Sequence, residues 1–253
     1  MRRGFFIIFI LTHCLNAKDC MDRRSIFLEF RNFYEAIHPA EENSETAYAW
    51  FSPISNPFLN LVIHLSCEDT SAKVDELMRK NVWNCPMTFW IHPENRAEGL
   101  EETLKERDFS LLITCPAMTW AIEPVAACPA DIRHADKKAV YEMISCVYKH
   151  EETVKKECLT LLEQLPCEDY IFYVDEKPVS SASLFVHGSV GEVFNDATLP
   201  QWGGACKEMM QFLMHRAYQL ELERLIVLSY PEAQELYSEL GFVTLFDVKI
   251  YSQ

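Results

Sequence analysis

The segment DATLPQWGGACKEMMQFLMHRA, residues 196–217, contains two of the seven glycines of the chain, side by side between a strand-like stretch and a strongly helical one. A glycine pair can form a turn, or it can let the backbone approach a phosphate closely. The first N–H groups of a helix have no partner within it, and the helix dipole places positive partial charge there. Small residues at that point let an anion come near. The segment therefore predicts either an anion site at a helix N-terminus or a plain turn.

In the second half of the chain, stretches with helical periodicity of apolar residues alternate with strand-like stretches. Residues 135–148 and 151–165 predict two helices, and three strands follow at 169–174, 179–186 and 191–198. The buried face of the first of these helices is predicted to consist of Val140, Met143, Ile144 and Val147.

After the paired glycines, the sequence predicts a helix, the buried strand RLIVLS, a helix that starts at Pro231 and one or two closing strands in FVTLFDVKIY. Gly241 fits the C-terminal cap position of the last helix. The element order α-α-β-β-β-α-β-α-β predicts a mixed sheet with at least one right-handed βαβ crossover.

The first half alternates shorter elements. A helix is predicted in SIFLEFRNFYEAIHP, and a second one in SAKVDELMRKN with Ser71 as its cap. Strand MTFWIHP, helix AEGLEETLKERDF and strand SLLITC follow. Two prolines and the loss of pattern in PVAACPADIR predict a boundary near 124–131.

Composition and charge narrow the function classes. The chain has 253 residues, 49% of them hydrophobic, and a formal net charge of −15, which repels a phosphate backbone and argues against nucleic-acid binding. The ten cysteines include no C-x-x-C pair, and no histidine pair completes a zinc pattern, so we expect reduced core thiols, with a disulfide framework as the alternative, and no metal.

The first twenty residues have the layout of a signal peptide with a short apolar run, Phe5–Leu11, which is too short to span a bilayer. The alternative is a start codon placed too early, because Met21 opens a plausible N-terminus. We expect no stable membrane insertion. A mature protein beginning at Lys18 would show export.

Four pieces of the second half, in order and at natural spacing, resemble the GNAT acyltransferase superfamily between Ile132 and Tyr251. They are VDEKPVSSASLF, NDATLP, QWGGACKEMMQFLMHRA and VLSYPEAQELYSELGF, of which A-x-x-L-Y-x-x-L-G-F is the most specific. The resemblance implies an α/β fold of mixed α+β character, the GNAT fold, with a mixed central sheet flanked by helices. A smaller, eroded GNAT-like α/β unit is expected before it, with an unrelated packing partner as the alternative. The expected division is a leader at 1–20, a first unit at 21–126 and the acetyltransferase domain at 127–253.

The same resemblance implies an acetyl-CoA site. The family loop [Q/R]-x-x-G-x-[G/A] matches Gln201, Gly204 and Cys206, although cysteine is not the usual residue there and the loop has no arginine. A register aligned on T-L-P fits less well. The residues implied to contact acetyl-CoA are Ala197, Thr198, Leu199, Gln201, Gly203, Gly204, Ala205, Cys206, Lys207 and Ser229.

Within this site, the Leu199 amide is expected to face the thioester carbonyl, and Ser229 is expected to contact the CoA arm or to cap the helix at 231. Lys207 is the nearest cation, and Glu208 in the first turn would repel a pyrophosphate. An inherited loop that binds CoA poorly is therefore the alternative to a working site.

The resemblance also implies the catalytic residues. Tyr237 matches the tyrosine that the family places near the CoA sulfur as general acid, and core packing is its alternative role. Glu192 matches a position where many members carry a general base, with Asp196 as a second candidate. His187 could titrate usefully, but an exposed loop histidine is the simpler interpretation.

Three functions follow from these observations. The first is an acetyl-CoA-dependent N-acetyltransferase that transfers the acetyl group directly to an amine, on a small molecule or a protein; the acidic balance favours a cationic acceptor. The second is a non-catalytic acyl-CoA sensor or protein-interaction module. The third, an exported binding protein, rests on the leader alone, and because acetyl-CoA is cytosolic we expect a cytoplasmic monomer or homodimer.

Overall fold

The computed structural model describes residues 23–37, 39–56, 59–163 and 165–253. The leader at 1–20 and the start at Met21, and with them both predictions about the N-terminus, lie outside the described residues.

Among the described residues, the first half of the chain forms three helices and five strands. They are α1 (Arg23–Ile37), β1 (Glu42–Asn43), β2 (Ala47–Trp50), β3 (Leu61–Leu65), α2 (Thr70–Lys80), β4 (Thr88–Ile91), α3 (Leu100–Lys105) and β5 (Ser110–Ala121). Two predictions are corrected here. The α2 helix is capped by the side chain of Asp69, which accepts from the Ala72 amide, and not by Ser71. Strand β5 continues beyond the predicted SLLITC to Ala121.

The second half forms four helices and six strands. They are β6 (Ile132–His134), α4 (Lys137–Tyr148), α5 (Glu152–Leu162), β7 (Cys167–Val174), β8 (Lys177–His187), β9 (Val190–Thr198), α6 (Gly204–Gln219), β10 (Arg224–Leu228), α7 (Gln234–Glu239) and β11 (Val243–Ser252). Short 3-10 turns at Pro200–Trp202 and Pro231–Ala233 precede α6 and α7. Gly241 has φ +91° just after α7, which confirms its predicted role.

All eleven strands belong to one sheet, in the order β1-β2-β3-β4-β11-β5-β10-β9-β8-β7-β6. The pairs β3/β4 and β9/β10 are parallel and the other pairs are antiparallel. The predicted mixed sheet flanked by helices is therefore confirmed. The last strand of each half pairs with a strand of the other half. Strand β11 pairs with β4, β5 pairs with β10, and β5 and β11 pair with each other.

Both halves repeat one element order, since β3-α2-β4-α3-β5 has the same sequence of elements as β9-α6-β10-α7-β11. The turns that end α3 and α7 are alike. Phe109 N–H donates to the Leu104 carbonyl at 3.0 Å, as Phe242 N–H donates to that of Tyr237 at 3.0 Å. Leu104 thus stands where the second half has Tyr237. These likenesses support a first unit of the same kind, and its limits at 21–126 stay a prediction.

The two faces of the sheet carry separate apolar cores. Helices α1, α4 and α5 cover one face, where Val140, Met143 and Ile144 are buried as predicted. Helices α6 and α7 cover the other around Met209 and Tyr237. Helices α2 and α3 pack over a third cluster, around Leu77 and Leu104. In the described part of the chain, no helix has the length and apolarity needed to cross a membrane. The eight cysteines that the structure describes are free thiols, but only Cys115 and Cys158 are buried, so the prediction that they are core residues is wrong for the other six.

Candidate active site

The parallel pairing of β9 with β10 ends halfway along β9, and the candidate site lies at the end of this pairing. Their pairing runs from Val190 opposite Arg224 to Val193 opposite Val227 and ends there. Beyond this point β9 bulges: Ser181 pairs with Ala197 and Ser183 with Phe194, so one residue of β8 opposes the two residues Asn195 and Asp196 of β9. Asn195, inside the bulge, has φ +55°, a left-handed conformation that asparagine tolerates better than most residues.

The neighbouring strand β8 holds the bulge in place. The Asn195 side-chain amide donates to Ser183 Oγ at 3.2 Å, and the Ser181 hydroxyl donates to the Asn195 carbonyl at 3.2 Å. Ser183 Oγ in turn donates to Oδ1 of Asp169, which Lys137 also contacts. This buried polar network fixes the direction of the Asp196 side chain that follows.

Asp196 meets Tyr237 across the gap between the strands. The Tyr237 hydroxyl donates to Asp196 Oδ2 at 2.8 Å, and the Tyr148 hydroxyl donates to the Asp196 backbone carbonyl at 3.2 Å. Tyr237 is fully buried, and burial with the charge of Asp196 raises its pKa well above the usual value. Burial also raises the pKa of Asp196, which the hydrogen bond from Tyr237 partly offsets. Tyr237 is thus a phenol that keeps its proton, as a general acid must before it acts.

Glu192 lies on β9, four residues before Asp196. It is 8% exposed, and its Oε2 atom has no hydrogen-bond partner. Burial and the nearby negative charge of Glu29 raise the pKa of Glu192 well above its ordinary value. A carboxylate with a raised pKa accepts a proton more readily than an ordinary one, as a general base requires.

The paired glycines lead into helix α6. Gly203 has φ −50°, and Gly204 is the first residue of the helix, so neither position requires glycine for its backbone angles. A Cβ at either residue would meet no atom within 4 Å. No described side chain caps this helix N-terminus. The glycines therefore leave open space in front of a helix N-terminus that has no side-chain cap, which is the geometry that an anion requires.

The charges beside this helix end are less favourable. The Lys207 ammonium lies 3.0 Å from Oε2 of Glu239, so its charge is already paired. The Cys206 thiol faces inward, and burial together with the charge of Asp196 raises its pKa to about 12. Cys206 is thus a neutral packing residue, Ala205 is buried in the core, and Gln201 and Trp202 are exposed.

The backbone of β9 beyond the bulge corrects one prediction. The Leu199 amide donates to the Val179 carbonyl at 3.0 Å, so it does not face a thioester carbonyl. Because backbone groups alternate in direction along a strand, the Thr198 N–H and carbonyl point to the open edge instead. The Thr198 side chain meets Ser180 Oγ at 2.8 Å, and Ala197 is buried in the core.

The side chains of Ser229 and His187 also have defined partners. The Ser229 hydroxyl donates to the Tyr230 carbonyl at 2.8 Å, and the turn at 231 has no side-chain cap, so the capping alternative is wrong. His187 is 54% exposed at the end of β8, where its Nδ1 lies 3.1 Å from Glu29 Oε2. His187 therefore takes part in a surface contact with α1.

A cavity of about 480 Å³ opens beside β9 on the Glu192 face. Its walls come from α1, α4, β4, β9 and the end of β10. The lining residues with aromatic rings are Phe30, Phe33, Tyr34, Trp90, Tyr141, Tyr148, Phe194, Tyr230 and His150. Glu192 and Asp196 are its two carboxyl groups. In the part of the chain that the structure describes, no group of three or more His, Cys, Asp or Glu residues could hold a metal.

Sequence patterns missed much of this wall. The cavity takes Phe30, Phe33 and Tyr34 from α1 and Trp90 from the first half, and tertiary packing alone brings them to β9. The bulge at Asn195 had a signal in the sequence, because the pair Asn195–Asp196 follows the apolar residues Val193 and Phe194 with a residue that accepts positive φ. The role of Tyr148 as an Asp196 partner had none.

The solved structures with a similar fold include GCN5-related N-acetyltransferases. The one from Kribbella flavida gives a TM-score of 0.63 at 13% identity and covers 89% of this chain and 94% of that chain. The one from Sphaerobacter thermophilus gives 0.57 at 10%, over 82% and 76%. A putative acetyltransferase from Novosphingobium aromaticivorans gives 0.53 at 15%, over 83% and 89%.

No family model matches the chain, and no curated protein matches it at a significant level. Identities this low show the fold alone. The chain has the GNAT fold, and the resemblance predicted from its sequence is confirmed at that level.

Proposed function

We propose that this protein is an acyl-CoA-dependent N-acyltransferase that uses acetyl-CoA and acts in the cytoplasm on an amine, as a monomer or homodimer. The observation that carries the proposal is the Tyr237–Asp196 hydrogen bond at the gap between β9 and β10, with the buried Glu192 carboxyl facing the cavity next to it. The gap lies between the open N-terminus of α6 and that cavity, so a donor and an acceptor can meet through it.

The chemistry assigns one role to each group. An ammonium acceptor first releases one proton to solvent. The neutral amine nitrogen then loses a second proton to the Glu192 carboxylate as it forms a bond to the thioester carbonyl carbon. The carbon–sulfur bond then breaks, and the leaving thiolate takes the proton of the Tyr237 phenol. The products are an amide and free CoA, and the proton on Glu192 returns to Tyr237 through solvent.

The residues around the glycines fit a pyrophosphate in one respect and not in another. The open space at Gly203 and Gly204 and the uncapped N–H groups favour it. The paired Lys207 and the nearby Glu208 supply no free positive charge. We therefore infer that Gly203 to Lys207 bind CoA through backbone N–H groups, with the Thr198 backbone along the pantetheine arm.

One observation favours a second function, a non-catalytic acyl-CoA sensor. The Tyr237 proton points to Asp196, so the hydroxyl must rotate before it can serve a thiolate. A protein that binds acyl-CoA and never turns it over would keep this hydrogen bond intact.

Calorimetric titration with acetyl-CoA, on protein starting at Met21, tests the proposal. Gly204→Glu places a carboxylate in the open space and should weaken binding at least about tenfold by like-charge repulsion. Gln219→Glu adds the same charge at the far end of α6 and serves as the control. An amine screen follows with the wild-type protein. Absence of acetyl-CoA binding would contradict both the acyltransferase and the sensor. Binding without turnover of any amine would favour the sensor.

A further inference from the structure

The cavity beside Glu192 combines a ring-rich wall with polar atoms that have no partner. Among the described residues, three of the buried side-chain polar atoms without a hydrogen-bond partner line it: Glu192 Oε2, Trp90 Nε1 and His150 Nδ1. Leaving such an atom unpaired costs about 1–3 kcal/mol. Three of them in one cavity indicate that a ligand, and not the fold, supplies their partners.

The charge of the lining selects the sign of that ligand. Glu192 and Asp196 line the cavity, and no described lysine or arginine does. Aromatic ring faces also attract cations, because their quadrupole is negative at the face. A carboxylate-bearing ligand has no counter-charge here, whereas a single ammonium group has Glu192.

The shape and polarity of the remaining wall select the body of the ligand. Phe30, Phe33 and Phe194 offer apolar surface, and a volume of about 480 Å³ is that of a small-molecule pocket. Asp196 already accepts a hydrogen bond from Tyr237, whereas Glu192 has an oxygen without a partner, which favours a ligand with one ammonium group over a polyamine. The indole N–H of Trp90, which is 4% exposed, can only donate, so it requires an acceptor atom on the ligand.

We propose that the cavity is an acceptor site for a small monoamine with an aromatic or branched apolar body, whose ammonium group meets Glu192 and whose ether or carbonyl oxygen accepts from Trp90. This inference rests on the proposed function and names its acceptor class. An acyl chain would also fit the apolar wall, but it would leave Glu192 and Trp90 without partners.

The test measures amine binding directly, without acyl-CoA, so that its failure is distinct from failure of the acyltransferase proposal. Calorimetry compares phenethylamine with 2-phenylethanol, phenylalanine and putrescine. Phenethylamine should bind at least about tenfold more tightly than each of the three, because only it combines one positive charge with an apolar body. Equal or tighter binding of phenylalanine or putrescine would overturn the proposal.

Two variants assign the contacts. Glu192→Gln should lower phenethylamine affinity at least about tenfold and leave 2-phenylethanol unchanged. The wild-type protein should bind 4-methoxyphenethylamine more tightly than 4-ethylphenethylamine, because the ether oxygen accepts from the Trp90 N–H. Trp90→Phe keeps a ring and removes the N–H, so it should abolish this preference. Glu223→Gln and Trp83→Phe, at exposed residues outside the cavity, are the controls.

Two results would contradict the assignment. Phenethylamine binding that survives Glu192→Gln would place the ammonium elsewhere. Decanoyl-CoA that binds more tightly than acetyl-CoA, with the gain lost in Trp90→Phe, would make the cavity an acyl-chain site. If the amine binds as expected and no acyl transfer occurs, the acceptor class stands and the enzymatic proposal fails.

Discussion

The Tyr237 hydroxyl is bound to the Asp196 carboxylate at 2.8 Å, although one residue belongs to α7 and the other follows a bulge in β9. The contact exists because β9 and β10 stop pairing at Val193 and Val227 and leave a gap that both side chains enter. In a fully paired parallel sheet these groups would have been separated by a continuous ladder. The hydrogen bond therefore lies where β9 no longer pairs with β10, which is where we place the chemistry.

Replacing Tyr237 by Phe removes the phenol proton and retains the ring. Since a positioned general acid contributes about 10²–10⁴ in rate, we expect kcat for acyl transfer to fall at least about 100-fold, with acetyl-CoA affinity nearly unchanged. The measurement is steady-state kinetics beside calorimetry. Tyr218→Phe, at an exposed tyrosine of α6, is the matched control. A Tyr237→Phe protein with the wild-type rate would reduce Tyr237 to core packing.

Asn195 should be replaceable by Gly and not by Val. Both substitutions lose the hydrogen bond to Ser183, so they differ mainly in the cost of φ +55°. A side chain that disfavours the left-handed region costs about 1–2 kcal/mol, more for a β-branched residue. Urea unfolding should show Asn195→Val less stable than Asn195→Gly by at least about 1 kcal/mol. Equal stability of the two variants would mean that the bulge relaxes.

Elements with a strong period were predictable, and the site was predictable only in part. The apolar face of α4 at Val140, Met143 and Ile144 follows from its helical spacing alone, and so does the glycine after α7. Spacing along the chain carries no information about which strand a distant strand will pair with. The insertion of β11 between β4 and β5, and hence the arrival of Trp90 and Phe30 at Glu192, depends on such pairing.

The Leu199 amide illustrates the same limit at the level of one atom. Its position near the end of β9 was foreseeable, and the direction of its N–H was not. That direction depends on the register of β8 against β9, which the bulge at Asn195 shifts. A one-residue shift exchanges the groups that face the sheet and the groups that face the gap.

Glu192→Gln should stabilise the ligand-free protein, and more so at higher pH. The pKa of Glu192 is raised in the folded state by burial and by Glu29, with Tyr34 also close, whereas the unfolded value stays near 4.5. Below that value both states hold the proton, and Glu192 costs the fold nothing through ionisation. As the pH rises past it, the unfolded state gains by ionising while the folded state does not, so stability is lost until the folded pKa is reached.

Thermal unfolding of the wild-type and Glu192→Gln proteins at pH 4 and pH 8 measures this difference. We expect the gain in Tm to be larger at pH 8, at about 2–4 °C for each 1 kcal/mol. Glu223→Gln, at an exposed carboxylate, should show no such pH dependence. A gain that is the same at both pH values would mean that Glu192 ionises normally in the folded protein.

Glu239→Gln should strengthen acetyl-CoA binding. The Glu239 carboxylate neutralises Lys207, which is the cation nearest the open end of α6, and removing its charge leaves the ammonium free to attract a pyrophosphate. Because both side chains are well exposed, the gain should be modest, about two- to fivefold, and the free energy of unfolding should change little. The same exposure means that salt screens the effect, so the gain should shrink when the salt concentration is raised from 0.05 M to about 0.5 M.

Two further variants are the controls for Glu239→Gln. Glu235→Gln removes an equal charge from the same helix and leaves Lys207 paired, and Lys207→Met should weaken acetyl-CoA binding. If Glu235→Gln and Glu239→Gln changed the affinity equally, the effect would come from net charge, and the paired lysine would not be what weakens this end of α6.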